Sequence, residues 1–182
     1  QRETLGGPAL ALLGALWIAG RIACILPFIR APVAAAVDVA FLPALALARE
    51  NIVLHRLAER VELAQGDLFG AVPGMVFDLI LCNPPYVNQA SMQALPPEFR
   101  AEPRHALAGG TDGMDLVRRI VARAPSHLST EGGLLLEIGH EAVHFEAAFP
   151  ALEFTYLPVQ AGDDQLVWIT REQLLGGAPA VP

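Results

Sequence analysis

The sequence predicts an α/β fold, in which a mostly parallel sheet carries helices on both of its faces. Short apolar segments bounded by turn-forming residues recur along the chain, as buried strands do. Segments with apolar residues at helical spacing lie between several of them. The 182 residues, of which 53% are hydrophobic and 17% charged, suffice for one domain with a hydrophobic core and exclude a disordered chain.

The clearest strand covers residues 78–82, which are mostly apolar and are followed at once by Asn83, Pro84, Pro85 and Tyr86. Two prolines cannot continue a sheet ladder, and Pro84 pushes Asn83 into an extended conformation. The strand therefore brings a polar amide, a rigid proline turn and an aromatic ring to its carboxyl end. In open α/β sheets this edge is where ligands bind.

These residues suit the activation of a planar NH2 group, whose nitrogen is a poor nucleophile because its lone pair is delocalised. The side-chain oxygen of Asn83 and the main-chain carbonyl of Pro84 are two acceptors for the N–H protons, which leaves the lone pair directed at an electrophile. Tyr86 can stack on the planar group. An ordinary strand-ending turn is the alternative, and a bare Asn-Pro-Pro would favour it.

The motif resembles that of the class I methyltransferases that use S-adenosyl-L-methionine (AdoMet) to modify planar NH2 groups. These include amino-methylating DNA enzymes and protein glutamine methyltransferases. The later residues resemble the second group, and within it the enzymes acting on ribosomal protein L-three. The similar stretches are residues 86–87, 95–100, 102–103, 107–113 and 135–139, within a match that runs from residue 37 to residue 174.

The resemblance implies a Rossmann-like fold with a mostly parallel seven-stranded sheet, a reversed edge strand and helices on both faces. It implies methyl transfer from AdoMet to the side-chain amide nitrogen of a glutamine, in a loop of a ribosomal protein in the cytoplasm. Asn83, Pro84, Pro85 and Tyr86 are then the catalytic residues, and Asn83 also contacts the cofactor. No metal is expected.

The start of the chain matches this family poorly. The family needs a first strand that ends in an acid and a glycine-rich loop, because glycine lets the backbone approach the methionine part of AdoMet. Here the corresponding register covers residues 13–20, and only Gly20 stands at a family glycine. We therefore expect an atypical apolar segment over residues 1–36, a catalytic domain over 37–175 and a loose tail over 176–182. The helical amino-terminal substrate domain of the family is expected to be absent, so a fragment or an impaired relic of the family is an alternative.

Two predicted strands end in acids that the resemblance places at the cofactor. Residues 33–39 form the second strand, and Asp38 near its end would accept both ribose hydroxyls. Residues 61–64 form the third strand, and Asp67 after it would meet the adenine amino group. Leu68 or Phe69 would wall the adenine ring. From the residues alone, either acid could instead lie in an exposed strand-end turn.

The remaining elements follow from apolar spacing. Residues 42–51 are predicted to form a helix that buries Leu45 and Ala48. Residues 114–124 are predicted to form another helix, capped by Asp112. Its three arginines lie off the apolar stripe and are interpreted as a solvated face: Arg118, Arg119 and Arg123. Further strands are predicted over residues 133–138, 154–159 and 165–170.

Residues 87–113 form a long segment with prolines and a glycine pair, directly after the catalytic turn. Long irregular segments in compact domains are usually functional, so we predict a flap that covers the substrate. Glu98, Arg100 and Glu102 are its candidate contacts, with a solvated charged loop as the alternative.

The charge of the chain bears on its partners. The net charge is −7 and every basic residue other than histidine is arginine, with no basic run. This argues against a duplex nucleic acid partner and therefore against an amino-adenine DNA methyltransferase. It suits a basic protein substrate. Arg21 and Pro27 interrupt the apolar segment near the start, so no membrane span is expected, and Cys24 and Cys82 have no metal or redox spacing.

Residues 140–144 match the H-E-x-x-H pattern of zinc proteases, in which two histidines share a helix face and the glutamate is the general base. Here the pattern directly follows a predicted strand and Gly139, which places it at the start of a helix rather than inside one. It also lacks a recognisable third ligand. A zinc hydrolase is therefore a remote alternative, and a polar first helical turn is favoured.

Overall fold

A computed structural model describes residues 33–37, 42–95, 104–160 and 162–177 of the chain. The described strands are β1 (Val33–Val37), β2 (Val61–Gln65), β3 (Phe77–Cys82), β4 (Leu128–Glu137), β5 (Thr155–Val159) and β6 (Gly162–Thr170). The α-helices are α1 (Leu42–Leu54), α2 (Ser91–Ala94), α3 (Asp115–Arg123), α4 (Ala142–Ala148) and α5 (Arg171–Gly177). Short 3-10 turns cover Leu68–Ala71, Arg104–Ala106 and Ala124–His127.

The strands form two groups. β1 and β2 pair in parallel, with Val33 opposite Val61. The other four have the order β3-β4-β6-β5, in which β3 and β4 are parallel and β6 runs antiparallel to both of its neighbours. The predicted strand positions are confirmed within the described residues. Six strands are described, and the first of the seven predicted ones falls on residues 13–20, outside the described part.

The prediction of a reversed strand is confirmed, but its place at the edge of the sheet was wrong. The reversed strand β6 lies between β4 and β5, and β5 forms the edge. Val167 and Ile169 on β6 are fully buried, whereas every described residue of β5 is exposed or only partly buried. The apolar second half of β6 is thus buried in the inner position between β4 and β5. The short connection between β5 and β6 lets them pair as a hairpin.

The main core lies between this sheet and the helices packed on it. The sheet contributes Ile80, Leu134, Leu136, Val167 and Ile169, and the helices contribute Val117, Ile120, Val121, Phe145 and Leu174. The rings of Phe145 and Phe149 have centroids 4.9 Å apart. Because the core fixes both β3 and β4, it also fixes the carboxyl ends of these strands, where the candidate site lies.

The predicted helices are confirmed, with changes at their ends. Leu45 and Ala48 on α1 are buried as predicted, at 3% and 4% exposure. The backbone N–H of Met114 donates to Oδ1 of Asp112 at 3.0 Å, but Met114 itself occupies the N-cap position of α3 and its side chain forms no capping hydrogen bond. The predicted cap by Asp112 was therefore wrong, because Gly113 with its φ of +82° separates Asp112 from the helix. The loose tail was wrong at its start, since Gly176 and Gly177 belong to α5.

No helix in the described ranges is long and apolar enough to cross a membrane.

Candidate active site

The turn after β3 presents a side-chain amide that has no hydrogen-bond partner among the described residues. Cys82, Pro84 and Pro85 are buried, and Asn83 between them is half-buried. Neither the side-chain amide of Asn83 nor the carbonyl of Pro84 forms a hydrogen bond with another described residue. Within the described residues, these two groups therefore keep hydrogen-bonding capacity for a ligand at the carboxyl end of β3, and their role in binding one remains a prediction.

Tyr86 connects this turn to the end of β4. Its hydroxyl donates to Oε1 of Glu137 at 3.3 Å. Burial raises the pKa of Tyr86 above its usual range, and the nearby carboxylate of Glu137 raises it further. Burial also raises the pKa of Glu137, and the hydrogen bond from Tyr86 opposes this shift. The phenol thus remains protonated at neutral pH and is held by a half-buried carboxylate.

The ring of Tyr86 lies against a glycine that no other residue could replace without displacement. Gly139 has a φ of +54°, and a β-carbon there would lie 2.4 Å from Cε2 of Tyr86. L side chains disfavour this φ, and the contact is too close for any side chain. The backbone of Gly139 therefore forms part of the surface on which the Tyr86 ring packs.

Glycines also hold the chain directly after Tyr86. The N–H of Val87 donates to the carbonyl of Leu107 at 2.9 Å, and the N–H of Gly109 donates to the carbonyl of Val87 at 2.9 Å. Gly113 has a φ of +82°, and a β-carbon there would lie 2.1 Å from the carbonyl oxygen of Tyr86. The two ends of the predicted flap are therefore paired to each other.

The flap itself remains a prediction. Its candidate contacts Glu98, Arg100 and Glu102 lie outside the described residues. The described part of the segment contains α2 and one 3-10 turn, so it is less irregular than the sequence indicated.

Sequence reasoning missed a buried polar cluster behind this turn. Asn88 is 8% exposed and donates from Nδ2 to both carboxylate oxygens of Glu141, at 2.8 and 2.9 Å. Nδ1 of His144 lies 2.6 Å from Oε2 of Glu141. The only indication of this cluster in the sequence was Asn88, a polar residue two positions after Tyr86, and it did not indicate which residue would be its partner.

The same cluster disfavours the zinc protease interpretation of residues 140–144. Helix α4 begins at Ala142, so His140 precedes it and is exposed. Glu141 is 6% exposed and engaged by Asn88 and His144, which leaves it unavailable as a general base. In the part of the chain that the structure describes, no group of three or more His, Cys, Asp or Glu residues could hold a metal ion.

A second set of site residues follows β2. Leu68 has a φ of +49°, which is strained for a residue with a β-carbon, and such strain is often found at ligand sites. Phe69 is buried and its ring stacks on His127 at 4.5 Å, so Leu68 is the more accessible of the two predicted ring walls. The Asp67 side chain is 64% exposed and accepts a hydrogen bond from Nη2 of Arg119.

The prediction that Arg118, Arg119 and Arg123 lie on a solvated face of α3 is confirmed, since Arg119 and Arg123 are exposed and Arg118 is partly exposed. The sequence did not indicate their partners. Arg119 links α3 to the end of β2, and Arg118 binds Asp112, with Nη1 at 3.2 Å from Oδ1. Both guanidinium groups therefore hold carboxylates of neighbouring loops.

The described residues fit part of a nucleotide-like cofactor. An accessible carboxylate and a strained, half-buried leucine follow β2, and an amide that no described residue binds follows β3. These groups offer hydrogen-bond acceptors and an apolar wall, which an aminopurine requires. The other two predicted cofactor residues, Gly20 and Asp38, lie outside the described part of the chain.

The fold and this strand-end site define a class of protein. The family model of the methyltransferase small domain matches residues 20–111, and the chain belongs to that family. The fold is similar to that of a solved methyltransferase from Pyrococcus furiosus, with a TM-score of 0.53 and 17% identity over 93% of this chain and 85% of that one. The chain therefore has a class I, Rossmann-like methyltransferase fold.

Curated relatives are more similar in sequence. The chain is 58% identical over 139 residues to the ribosomal protein uL3 glutamine methyltransferase of Bordetella pertussis, covering 76% of this chain and 46% of that one. It is 46% identical over 131 residues to the protein of that name from Bradyrhizobium diazoefficiens, covering 72% and 41%. The chain thus spans less than half the length of these relatives.

Proposed function

We propose that this chain methylates the side-chain amide nitrogen of a glutamine in a protein, with AdoMet as the methyl donor and ribosomal protein uL3 as the substrate. The observation that carries the proposal is a pair of groups at the end of β3 that no described residue binds, the half-buried side-chain amide of Asn83 and the carbonyl of Pro84. The printed names of the relatives support the choice of substrate.

Two acceptors orient the substrate amide in this proposal. The side-chain oxygen of Asn83 and the carbonyl of Pro84 each accept one N–H of the glutamine, which a proline carbonyl can do without competition from its own donor. Pro85 keeps the turn rigid. Tyr86, held by Glu137 and Gly139, packs on the planar amide. All four residues thus act by positioning the nitrogen of the substrate amide.

The reaction is an in-line displacement at carbon. AdoMet supplies a methyl group made electrophilic by its sulfonium. Asn83 and Pro84 would direct the lone pair of the amide nitrogen at that methyl carbon, the demethylated thioether would be the leaving group, and the nitrogen would release one proton to water. Alignment of nitrogen and carbon at near-contact distance is the main contribution of the protein.

The cofactor is assigned to residues at the ends of successive strands. Asp38 accepts the ribose hydroxyls, Asp67 accepts the adenine amino group and Leu68 covers the adenine ring. The backbone at Gly20 approaches the methionine part, and Asn83 lies between cofactor and substrate. The strained backbone of Leu68 supports this assignment, because such strain persists only where the surroundings impose it.

The partner proposed is a basic ribosomal protein in the cytoplasm. The net charge of −7 favours association with a positively charged surface and disfavours duplex DNA. The charge therefore disfavours the amino-adenine alternative, although that alternative shares the motif at Asn83.

The test uses the purified chain, AdoMet and isolated uL3, with mass spectrometry of the glutamine-containing peptides. We expect one added methyl group on a glutamine. Asn83→Ala should lower kcat by about 100-fold while the Kd for AdoMet changes little, since it removes alignment. Asn51→Ala is the matched control, because among the described residues the side-chain amide of Asn51 forms one hydrogen bond, which it donates to the carbonyl of Leu47 on α1.

Calorimetry with AdoMet separates this proposal from the impaired relic. A chain that binds AdoMet and leaves uL3 unmodified would contradict the proposed substrate. A folded chain without AdoMet binding would identify the relic. Loss of AdoMet binding in Asn83→Ala, with kcat at saturation unchanged, would contradict the role given to Asn83.

A further inference from the structure

A buried carboxylate lies directly behind the chain that follows the Asn83–Tyr86 turn. Both carboxylate oxygens of Glu141 accept hydrogen bonds from Nδ2 of Asn88. The backbone N–H of Asn88 also donates to Oε1 of Glu141, at 3.4 Å. Nδ1 of His144 lies against the Oε2 atom. A carboxylate removed from water needs such partners, so its burial here is sustained by these contacts.

Glu141 is not explained by the needs of its own helix. It occupies the N-cap position of α4, where a side chain would normally accept a backbone N–H of the first turn. Its side chain makes no such bond. It reaches instead to Asn88, 53 residues earlier in the chain. The carboxylate is thus directed at the turn after Tyr86.

Asn88 passes this restraint on to the neighbouring backbone. Its Oδ1 accepts the N–H of Ser91 at 2.9 Å, and its carbonyl accepts the N–H of Met92 at 3.0 Å. The preceding residue, Val87, is paired to Leu107 and Gly109. One amide side chain therefore ties the start of α4 to the start of α2, two residues after Tyr86.

We propose that Glu141 is a positioning residue for the amide-binding turn. Through Asn88 it fixes the backbone from Tyr86 to Ser91. This restraint sets the position of the Tyr86 ring in the site and the direction from which the substrate glutamine enters. Glu141 touches no reacting atom in this arrangement. The expected effect of Glu141 on turnover rests on the proposed function, whereas its expected effect on the conformation of the turn rests on geometry alone.

Two variants test the link. Glu141→Gln keeps the size of the side chain but replaces one acceptor oxygen by a donor, which opposes the amide of Asn88. The double variant Asn88→Asp/Glu141→Gln exchanges amide and carboxylate between the two positions and restores a donor–acceptor pair. We expect Glu141→Gln to lower kcat about 10- to 100-fold through misplacement of the turn, with the Kd for AdoMet within about twofold. The double variant should recover kcat to within about fivefold of the wild-type value, because coupled residues are not additive.

Glu131→Gln is the matched control, since Glu131 is an exposed glutamate on β4. It should leave kcat and stability unchanged. Equal losses of kcat and AdoMet affinity in Glu141→Gln, without recovery in the double variant, would show a general structural role and overturn the proposal. If Glu141→Gln does not fold, the double variant decides, because a folded double variant with strongly reduced kcat also overturns it.

Hydrogen exchange keeps this proposal separate from the proposed function. Glu141→Gln should accelerate amide exchange at residues 87–92 by at least about 10-fold relative to amides of β4, because the restraint on that segment is lost. This readout requires no substrate. Inactivity of the wild-type chain on uL3 would end the proposed function, whereas unchanged exchange at residues 87–92 would end the role of Glu141.

Discussion

The hydroxyl of Tyr86 donates a 3.3 Å hydrogen bond to Oε1 of Glu137, which joins the turn after β3 to the carboxyl end of β4. The two strands are parallel neighbours, so their ends lie at the same edge of the sheet. Tyr86 is therefore restrained by its ring, which lies on Gly139, and by its hydroxyl. Because the two restraints act on different parts of the side chain, substitutions can separate the packing role of the ring from the hydrogen-bonding role of the hydroxyl.

Substitutions at Tyr86 should reveal the difference. Tyr86→Phe keeps the ring and loses one long hydrogen bond, and should lower kcat by less than about 10-fold, the equivalent of one modest bond. Tyr86→Ala removes the ring that is proposed to pack on the substrate amide and should lower kcat by about 100-fold through misalignment. Steady-state kinetics with uL3 would distinguish them, and an equal loss in both variants would assign the effect to the hydroxyl.

The positive φ of Gly139 predicts a large effect from a small side chain. Gly139→Ala places a β-carbon 2.4 Å from Cε2 of Tyr86 and forces a strained backbone, at a cost of about 1–3 kcal/mol in the free energy of unfolding. Urea denaturation measures this cost. The control is Gly176→Ala on α5, where no atom lies within 4 Å of the added carbon, and its effect should be neutral or stabilising. Similar stability in both variants would contradict the described packing of the Tyr86 ring against Gly139.

Asp112 should give the protein an acid-sensitive contribution to stability. Its hydrogen bonds with Arg118 lower the pKa of Asp112 from 3.8 to about 2. A carboxyl whose pKa is lower in the folded state stabilises the fold above its unfolded pKa, and this contribution is lost as the pH falls through the folded pKa. Between pH 4 and pH 2, roughly the window set by these two pKa values, the wild-type Tm should therefore fall more steeply than that of Asp112→Asn.

The control for this measurement is Asp163→Asn, because Asp163 is exposed on β6. Its Tm should follow the wild-type curve through the same pH range. Parallel curves for the wild type and Asp112→Asn would show that the Arg118 pair contributes nothing to folding. Asparagine keeps an acceptor for the N–H of Met114, so the local turn before α3 survives and the ion pair alone is tested.

The sequence predicted what depends on local pattern. The apolar strand ending at Cys82 and the two prolines after it define the position of Asn83 without knowledge of any partner. The helical spacing of Val117, Ile120 and Val121 likewise defines α3, and all three are buried. Local conformation and burial reinforce each other in these elements, so the prediction needed no tertiary information.

The sequence did not predict the choice of distant partners. Arg119 and Asp67 are 52 residues apart, and Asn88 and Glu141 are 53 residues apart. Each of these side chains equally suits a solvated surface, and only the packing of β2, α3 and α4 brings the pairs together. The inner position of β6 has the same origin, since the competition between two strands for one neighbour is decided by burial across the whole sheet.

Asp67 supplies a last prediction, because it serves two interactions at once. Its exposed carboxylate binds Arg119 and is proposed to accept the adenine amino group. Asp67→Asn keeps one acceptor oxygen and loses the charge that holds the guanidinium, and should raise the Kd for AdoMet about 5- to 10-fold, in the range of one hydrogen bond. The value of kcat at saturating AdoMet should stay near that of the wild type, since Asp67 does not orient the amide. Asp78→Asn is the control, because Asp78 is an exposed acid that binds Ser129 at 2.6 Å. Calorimetry would decide the matter: an unchanged Kd in Asp67→Asn would assign Asp67 to the ion pair alone and move the adenine contact to another residue.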